Sequence, residues 1–178
     1  MWTTQLIEAT KEIAESFQSG QLILLTESDL KTTLSNKLRE RLNENITVNT
    51  ESPWFDTYET NSIYYIDITA FDKDKLNLTY DPTTHRKGYS YDDTALVIEL
   101  KYFKYKMEIE TIAGDFIKMR LLTKAPKNDC CIIASARTEE LFNAAKIFME
   151  KQMETYRTQY KNKLKVYLFS TENLIELI

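Results

Sequence analysis

The sequence is poor in glycine, histidine and cysteine, and each shortage excludes a class of site. Its three glycines cannot build the glycine-rich loops that cradle phosphate groups. One histidine and two adjacent cysteines provide no convincing zinc-ligand set. Because the cysteines are neighbours in an apolar segment, we expect buried, reduced thiols on opposite faces of one strand.

Long apolar segments are also missing. No run approaches the roughly 20 residues that a membrane helix needs. The first residues lack the basic start and apolar block of a secretory signal. We therefore expect a cytoplasmic protein with no membrane partner.

The apolar residues that are present suffice for one folded domain. Of the 178 residues, 43% are hydrophobic and 12% are aromatic, which is typical of an α/β protein with its own core. We therefore predict a single domain over residues 1–178. The formal net charge of −4 gives no overall attraction to nucleic acid, but local groups of basic residues can still bind phosphate groups.

Hydrophobic periodicity predicts the order of helices and strands. The predicted helices cover residues 4–18, 30–43, 112–122 and 138–161, and residues 26–29 offer hydroxyl and carboxylate caps for the second. The predicted strands cover residues 46–50, 63–71, 94–105, 130–134 and 165–169. A short further strand is possible at 76–80, and residues 81–93 are predicted to form a polar loop.

The strand that begins at Thr94 is unusual because it carries two charges within an apolar run. Glu99 and Lys101 project from the same face, since side chains alternate along a strand. An ion buried without a partner is costly, so these charges face a solvated cleft, pair with each other, or hold a metal. Asp67 lies in the apolar strand at 63–71, and antiparallel pairing of the two strands would bring all three side chains together.

This pattern resembles the PD-(D/E)xK nuclease superfamily, the restriction-endonuclease-like fold, over residues 28–135. The resemblance implies an α/β fold with a central mixed sheet flanked by helices. Its core order is a helix, three strands, a helix and a strand, with acids on the second and third strands. Residues 1–26 would form a helical extension before this core, and residues 136–178 would add a helix and a strand after it.

The resemblance also implies a divalent-metal-dependent endonuclease that hydrolyses phosphodiester bonds in DNA or RNA. Asp67, Glu99 and the backbone carbonyl of Leu100 would bind Mg²⁺ or Mn²⁺, and Lys101 would complete the catalytic set with Asp67 and Glu99. The protein could act as a homodimer if it cuts both strands. Basic residues expected to contact nucleic acid are Arg86, Lys87, Lys104 and Lys118, and possible accessory acids are Glu40, Glu51 and Asp115.

Three alternatives remain open from the sequence, and one of them is an unrelated α/β protein whose charged strand simply runs to a surface. If the strand at 76–80 were the neighbour of the charged strand, Asn77 would take the position of the acid. The chain could also be a catalytically silent member of this fold that serves as a protein-interaction module. In that case Glu99 and Lys101 would pair with each other, and backbone donors would hold Asp67.

Overall fold

A computed structural model describes residues 2–55, 63–81, 86–91, 95–124, 128–160 and 163–177. The helices are α1 (Trp2–Gln18), α2 (Glu27–Arg41), α3 (Ile112–Lys124) and α4 (Glu139–Tyr160). The strands are β1 (Ile46–Phe55), β2 (Ile63–Asp72), β3 (Leu76–Asp81), β4 (Arg86–Tyr91), β5 (Ala95–Phe103), β6 (Asn128–Ala136), β7 (Leu164–Phe169) and β8 (Leu174–Leu177). Short 3-10 turns occupy Lys73–Lys75 and Lys106–Thr111.

Six strands form one mixed sheet in the order β1-β2-β5-β6-β7-β8. β5 runs antiparallel to β2 on one side and parallel to β6 on the other. β3 and β4 pair with each other in a separate two-stranded sheet. The predicted α/β class with a mixed sheet flanked by helices is therefore confirmed, and the neighbour of the charged strand is β2 rather than β3.

Each face of the six-stranded sheet buries its own apolar core. On one face, α1 and α2 pack on the even-numbered side chains of β5, such as Leu96 and Ile98. On the other face, α3 and α4 pack on odd-numbered side chains such as Val97 and Phe103. Glu99 and Lys101 therefore belong to the face that α3 covers.

The cysteines follow the same alternation. Cys130 belongs to the core under α3 and α4, and Cys131 belongs to the core under α1 and α2. Both are free and buried, as predicted, and burial raises the pKa of each thiol. Neither side chain is poised for chemistry, because a thiol is nucleophilic only as its thiolate.

The start of α2 is fixed by a capping box. The Thr26 hydroxyl accepts a hydrogen bond from the Asp29 backbone N–H, and the Asp29 carboxylate accepts from the N–H groups of Leu25 and Thr26. These bonds satisfy donors that a helix start would otherwise leave free. The hydroxyl of Tyr102 donates to the Leu24 carbonyl at 2.9 Å, which ties this end of α2 to β5.

Three strands differ most clearly from the sequence prediction. β1 continues through Pro53 to Phe55, which an edge strand tolerates because one side of it has no ladder. Residues 86–91 form β4 rather than part of a polar loop. Their backbone pairs with β3, and no apolar pattern within residues 86–91 indicates that pairing. The short β8 was not predicted, since four residues carry too little periodicity. Among the described helices, none is both long and apolar enough to cross a membrane.

Candidate functional site

The site lies where the hydrogen-bond ladder between β2 and β5 stops. Three residue pairs connect these strands, and the last of them joins Ile68 to Ile98. The next residues along the two strands are Asp67 and Glu99. There the Asp67 carboxylate takes the place of a strand carbonyl, because its Oδ2 accepts the Leu100 N–H at 2.8 Å.

The second oxygen of Asp67 is held by a lysine from α2. Lys31 Nζ lies 2.6 Å from Asp67 Oδ1, and the side chains of Lys31 and Asp67 are only 15% and 13% exposed. Lys31 Nζ also contacts Glu51 of β1, whose side chain is 62% exposed. Both oxygens of Asp67 are therefore engaged, one by a backbone donor and one by an ammonium group.

Glu99 is the most deeply buried acid of the site, with a side chain only 4% exposed. Its Oε2 lies 2.8 Å from Lys118 Nζ, whereas its Oε1 is buried without a hydrogen-bond partner. The pKa of Glu99 is raised to about 8, chiefly by burial; Lys118 lowers it, and the Asp67 and Asp115 carboxylates add to the rise. In the absence of a metal ion, this carboxyl group is largely protonated at neutral pH, even with Lys118 beside it.

Lys101 is held between two acids from different helices. Its Nζ lies 3.2 Å from Asp115 Oδ2 and 3.7 Å from Glu27 Oε2. Burial raises the pKa of both acids, and Lys101 opposes that shift. Burial alone would lower the pKa of Lys101, but Asp115 and Glu27 outweigh it and raise that pKa, so Lys101 stays cationic.

The expected ion pair between Glu99 and Lys101 is not formed. Residues two apart on one strand face lie roughly 7 Å from each other, and each charge here has a nearer partner on α3. The other expectation for a silent protein, a backbone donor to Asp67, matches the Leu100 N–H.

Eight side chains from α2, β1, β2, β5 and α3 make up what we call the charge cluster. Its five acids outnumber its three lysines, so its formal charge is −2 when every group is ionised. The acids are Glu27, Glu51, Asp67, Glu99 and Asp115, and the lysines are Lys31, Lys101 and Lys118. A partly buried excess of carboxylates favours a bound cation.

The carboxylates fit a hard divalent ion. Within the described ranges, no group of three or more His, Cys, Asp or Glu side chains is arranged to hold a metal. Mg²⁺, however, commonly takes only one or two carboxylates and completes its shell with water and substrate phosphate. Asp67 and Glu99 match that donor set, and the unpartnered Oε1 of Glu99 is an oxygen that a cation would satisfy.

Lys118 and Lys104, both predicted to contact nucleic acid, differ in their surroundings. The ammonium group of Lys118 is already occupied within the protein, because its Nζ contacts Glu99 and also donates to the Tyr65 carbonyl at 3.0 Å. Lys104 is exposed, and its Nζ lies 5.8 Å from the centre of the Tyr105 ring. Lys101 and Lys104 both line a cleft of about 360 Å³ that begins at the N-terminus of α2.

The remaining predicted residues lie away from the cluster or outside the described side chains. Arg86 and Lys87 occupy β4 positions opposite Asp81 and Tyr80, and their side chains lie outside the described part of the structure. Glu40 is exposed near the far end of α2, roughly 20 Å from Glu27 at 1.5 Å per residue.

Sequence reasoning missed Glu27 and Lys31. Residues four apart on a helix share a face, so these two project together next to the leucine stripe of α2. That spacing was the available signal. It was overlooked because an acid in the first helical turn ordinarily serves the helix dipole.

Comparison of the chain with protein-family models found no match. Comparison with curated proteins and with solved structures found none either. The function therefore has to be argued from the charge cluster itself.

Proposed function

We propose that the chain is a divalent-metal-dependent nuclease of the PD-(D/E)xK type, with a restriction-endonuclease-like fold, that hydrolyses phosphodiester bonds in DNA or RNA. The observation that carries the proposal is the convergence of Asp67, Glu99 and Lys101 from two adjacent strands. The element order supports it. α2, β1, β2, β5, α3 and β6 follow the expected core order, with β3 and β4 as an insertion between the two acidic strands.

In this proposal Asp67, Glu99 and the Leu100 carbonyl hold Mg²⁺ or Mn²⁺. The bound ion supplies Lewis acidity, which polarises a phosphoryl oxygen and acidifies a water molecule. Glu99 has to give up its proton to become a ligand, so metal binding and proton release are coupled.

Lys101 is positioned to act on the phosphate or on the attacking water. Asp115 and Glu27 keep it charged and fix its direction, so it can stabilise negative charge that develops during the reaction. Glu27 takes the place of the accessory helix acid that was expected at Glu40. The exposed Lys104 beside the cleft is the best placed described residue to hold the nucleic-acid backbone.

The test is cleavage of labelled single- and double-stranded DNA and RNA by the purified chain with Mg²⁺, Mn²⁺ or EDTA. We expect metal-dependent cleavage that falls by about 100-fold or more in Glu99→Gln and in Lys101→Met, because each removes a group that acts on the reacting phosphate. Lys165→Met is the matched control, since Lys165 pairs with Glu176 at the β7–β8 edge. Cleavage that survives both cluster substitutions would exclude the assignment.

A catalytically silent interaction module is the second candidate. The observation that favours it is that lysines already neutralise the three central acids, Asp67, Glu99 and Asp115. Thermal melting distinguishes the two candidates, because an ion that binds only the native state raises the melting temperature. A melting temperature that is the same with EDTA and with millimolar Mn²⁺ favours the silent protein.

A further inference from the structure

We propose that Lys31 is a built-in counter-ion that competes with the divalent metal for Asp67. When the metal binds, the Lys31 ammonium group moves away from Asp67 and pairs with Glu51 alone. This inference rests on the proposed metal site and adds a device that sets the metal affinity of that site. Lys31 is therefore a positioning residue, because it acts through Asp67 and not on the substrate.

Both oxygens of Asp67 already have a partner, and only one of these partners can move away. Its Oδ2 accepts the Leu100 N–H at 2.8 Å, and its Oδ1 lies 2.6 Å from Lys31 Nζ. The backbone donor is fixed within β5, whereas a lysine side chain rotates freely about several bonds. A divalent cation at Asp67 would repel the neighbouring Lys31 ammonium, so we expect it to displace Lys31 and to leave the Leu100 bond in place.

Glu51 is placed to retain the displaced Lys31 ammonium group. On β1, Thr50 pairs with Ile68 and Ser52 with Ile66, so Glu51 stands opposite Asp67. Its φ of 53° lies in the left-handed region, which costs energy for any residue with a Cβ. Its carboxylate already contacts Lys31 and is mostly exposed, so it accepts a lysine without a new desolvation cost.

Competition between Lys31 and the metal for Asp67 can be distinguished from a general electrostatic effect of the two charges on the site. Removing Lys31 favours metal binding under either explanation, and removing Glu51 disfavours it under either. Under competition, Glu51 matters only through Lys31, so its loss has no effect once Lys31 is gone. Under a general electrostatic effect, the gain in metal affinity from removing Lys31 and the loss from removing Glu51 are independent, so they offset each other in the double variant.

The experiment measures Mn²⁺ affinity without nucleic acid, from the electron paramagnetic resonance signal of free Mn²⁺. We expect Lys31→Met to bind Mn²⁺ about tenfold more tightly than the wild type, and Glu51→Gln several-fold more weakly, within the usual range of coupling between two ligands. The double variant is expected to match Lys31→Met. Lys37→Met is the control, because Lys37 lies on the same helix but pairs with Glu12.

Lys31→Gln is measured in parallel, and circular dichroism checks that each variant is folded. Lys31 variants that bind Mn²⁺ no more tightly than the wild type, or a double variant that returns to wild-type affinity, would overturn the inference. If Asp67→Asn loses Mn²⁺ binding but the wild type shows no nuclease activity, the proposed function is overturned and the inference about Lys31 is not. If neither the wild type nor Lys31→Met binds Mn²⁺, both proposals fail.

Discussion

At the scale of single residues, Glu99 links the structure to a measurable dependence on pH. Burial raises its pKa to about 8 in the folded protein, compared with an ordinary value near 4.5. The folded state therefore keeps a proton that the unfolded state has released across this window. The contribution of Glu99 to stability therefore falls as the pH rises from about 4.5 to about 8, because deprotonation then favours the unfolded state.

Glu99→Gln removes this titration, so we expect it to gain stability relative to the wild type as the pH rises. Urea unfolding in EDTA at pH 5, 6.5 and 8 measures the difference. We expect the unfolding free energy of Glu99→Gln to gain on the order of a few kcal/mol relative to the wild type between pH 5 and pH 8, since each pKa unit corresponds to about 1.4 kcal/mol. A pH dependence that is equal in the two proteins would mean that Glu99 ionises normally.

Some cluster residues could be predicted from the sequence and others could not, for a physical reason. Asp67, Glu99 and Lys101 stood out because a charge within an apolar strand requires a partner. Glu27 and Lys31 lie on a helix whose exposed positions are ordinarily charged, so their four-residue spacing does not distinguish them from a solvated helix face. The identity of each partner, such as Lys118 for Glu99, depends on how α3 packs on β5, which is a non-local property.

At the scale of secondary structure, α2 determines the geometry of much of the charge cluster. It carries both Glu27 and Lys31, and its capping box fixes where its first turn begins. The helices were predictable because their apolar stripes repeat within one segment. β4 and β8 were not, because the partner strands that satisfy their backbones come from elsewhere in the chain.

Thr26→Ala tests the capping box. We expect a loss of about 1 kcal/mol in unfolding free energy, because the Asp29 N–H loses its acceptor and the Asp29 carboxylate loses the hydroxyl donor. Chemical denaturation measures the loss. Ser28→Ala is the matched control on the exposed side of the same turn, and an equal loss in both variants would contradict a specific role for the cap.

At the scale of the whole molecule, one sheet separates two apolar cores and places the charge cluster between helices from opposite layers. α2 belongs to one layer and α3 to the other, yet both contact charged residues near the point where the ladder between β2 and β5 stops. The α/β class followed from alternating periodicities, but the strand order did not. Which strand lies beside β5 depends on pairing over long sequence distances. The sequence of β3 suits a neighbour of β5 as well as a strand of a separate two-stranded sheet.

The layered core predicts where substitutions destabilise the molecule. Leu34 is fully buried between α2 and the sheet, so we expect Leu34→Ala to lower the unfolding free energy by about 2–5 kcal/mol. Ile147 on α4 is 70% exposed, and Ile147→Ala should change it by roughly 0.5 kcal/mol or less. Denaturation midpoints of the two variants check the contrast, and equal losses would contradict the assignment of Leu34 to the core.

The hydrogen bond from the Leu100 N–H to Asp67 gives this protein an internal spectroscopic reporter. The chemical shift of an amide proton responds to the charge on its acceptor, so the Leu100 resonance registers whatever happens to the Asp67 carboxylate. Protonation, loss of the lysine contact and arrival of a diamagnetic cation such as Mg²⁺ each alter that charge differently. One assigned peak in a nitrogen-proton correlation spectrum of the nitrogen-15-labelled protein would thus follow the site during a titration, without any substrate.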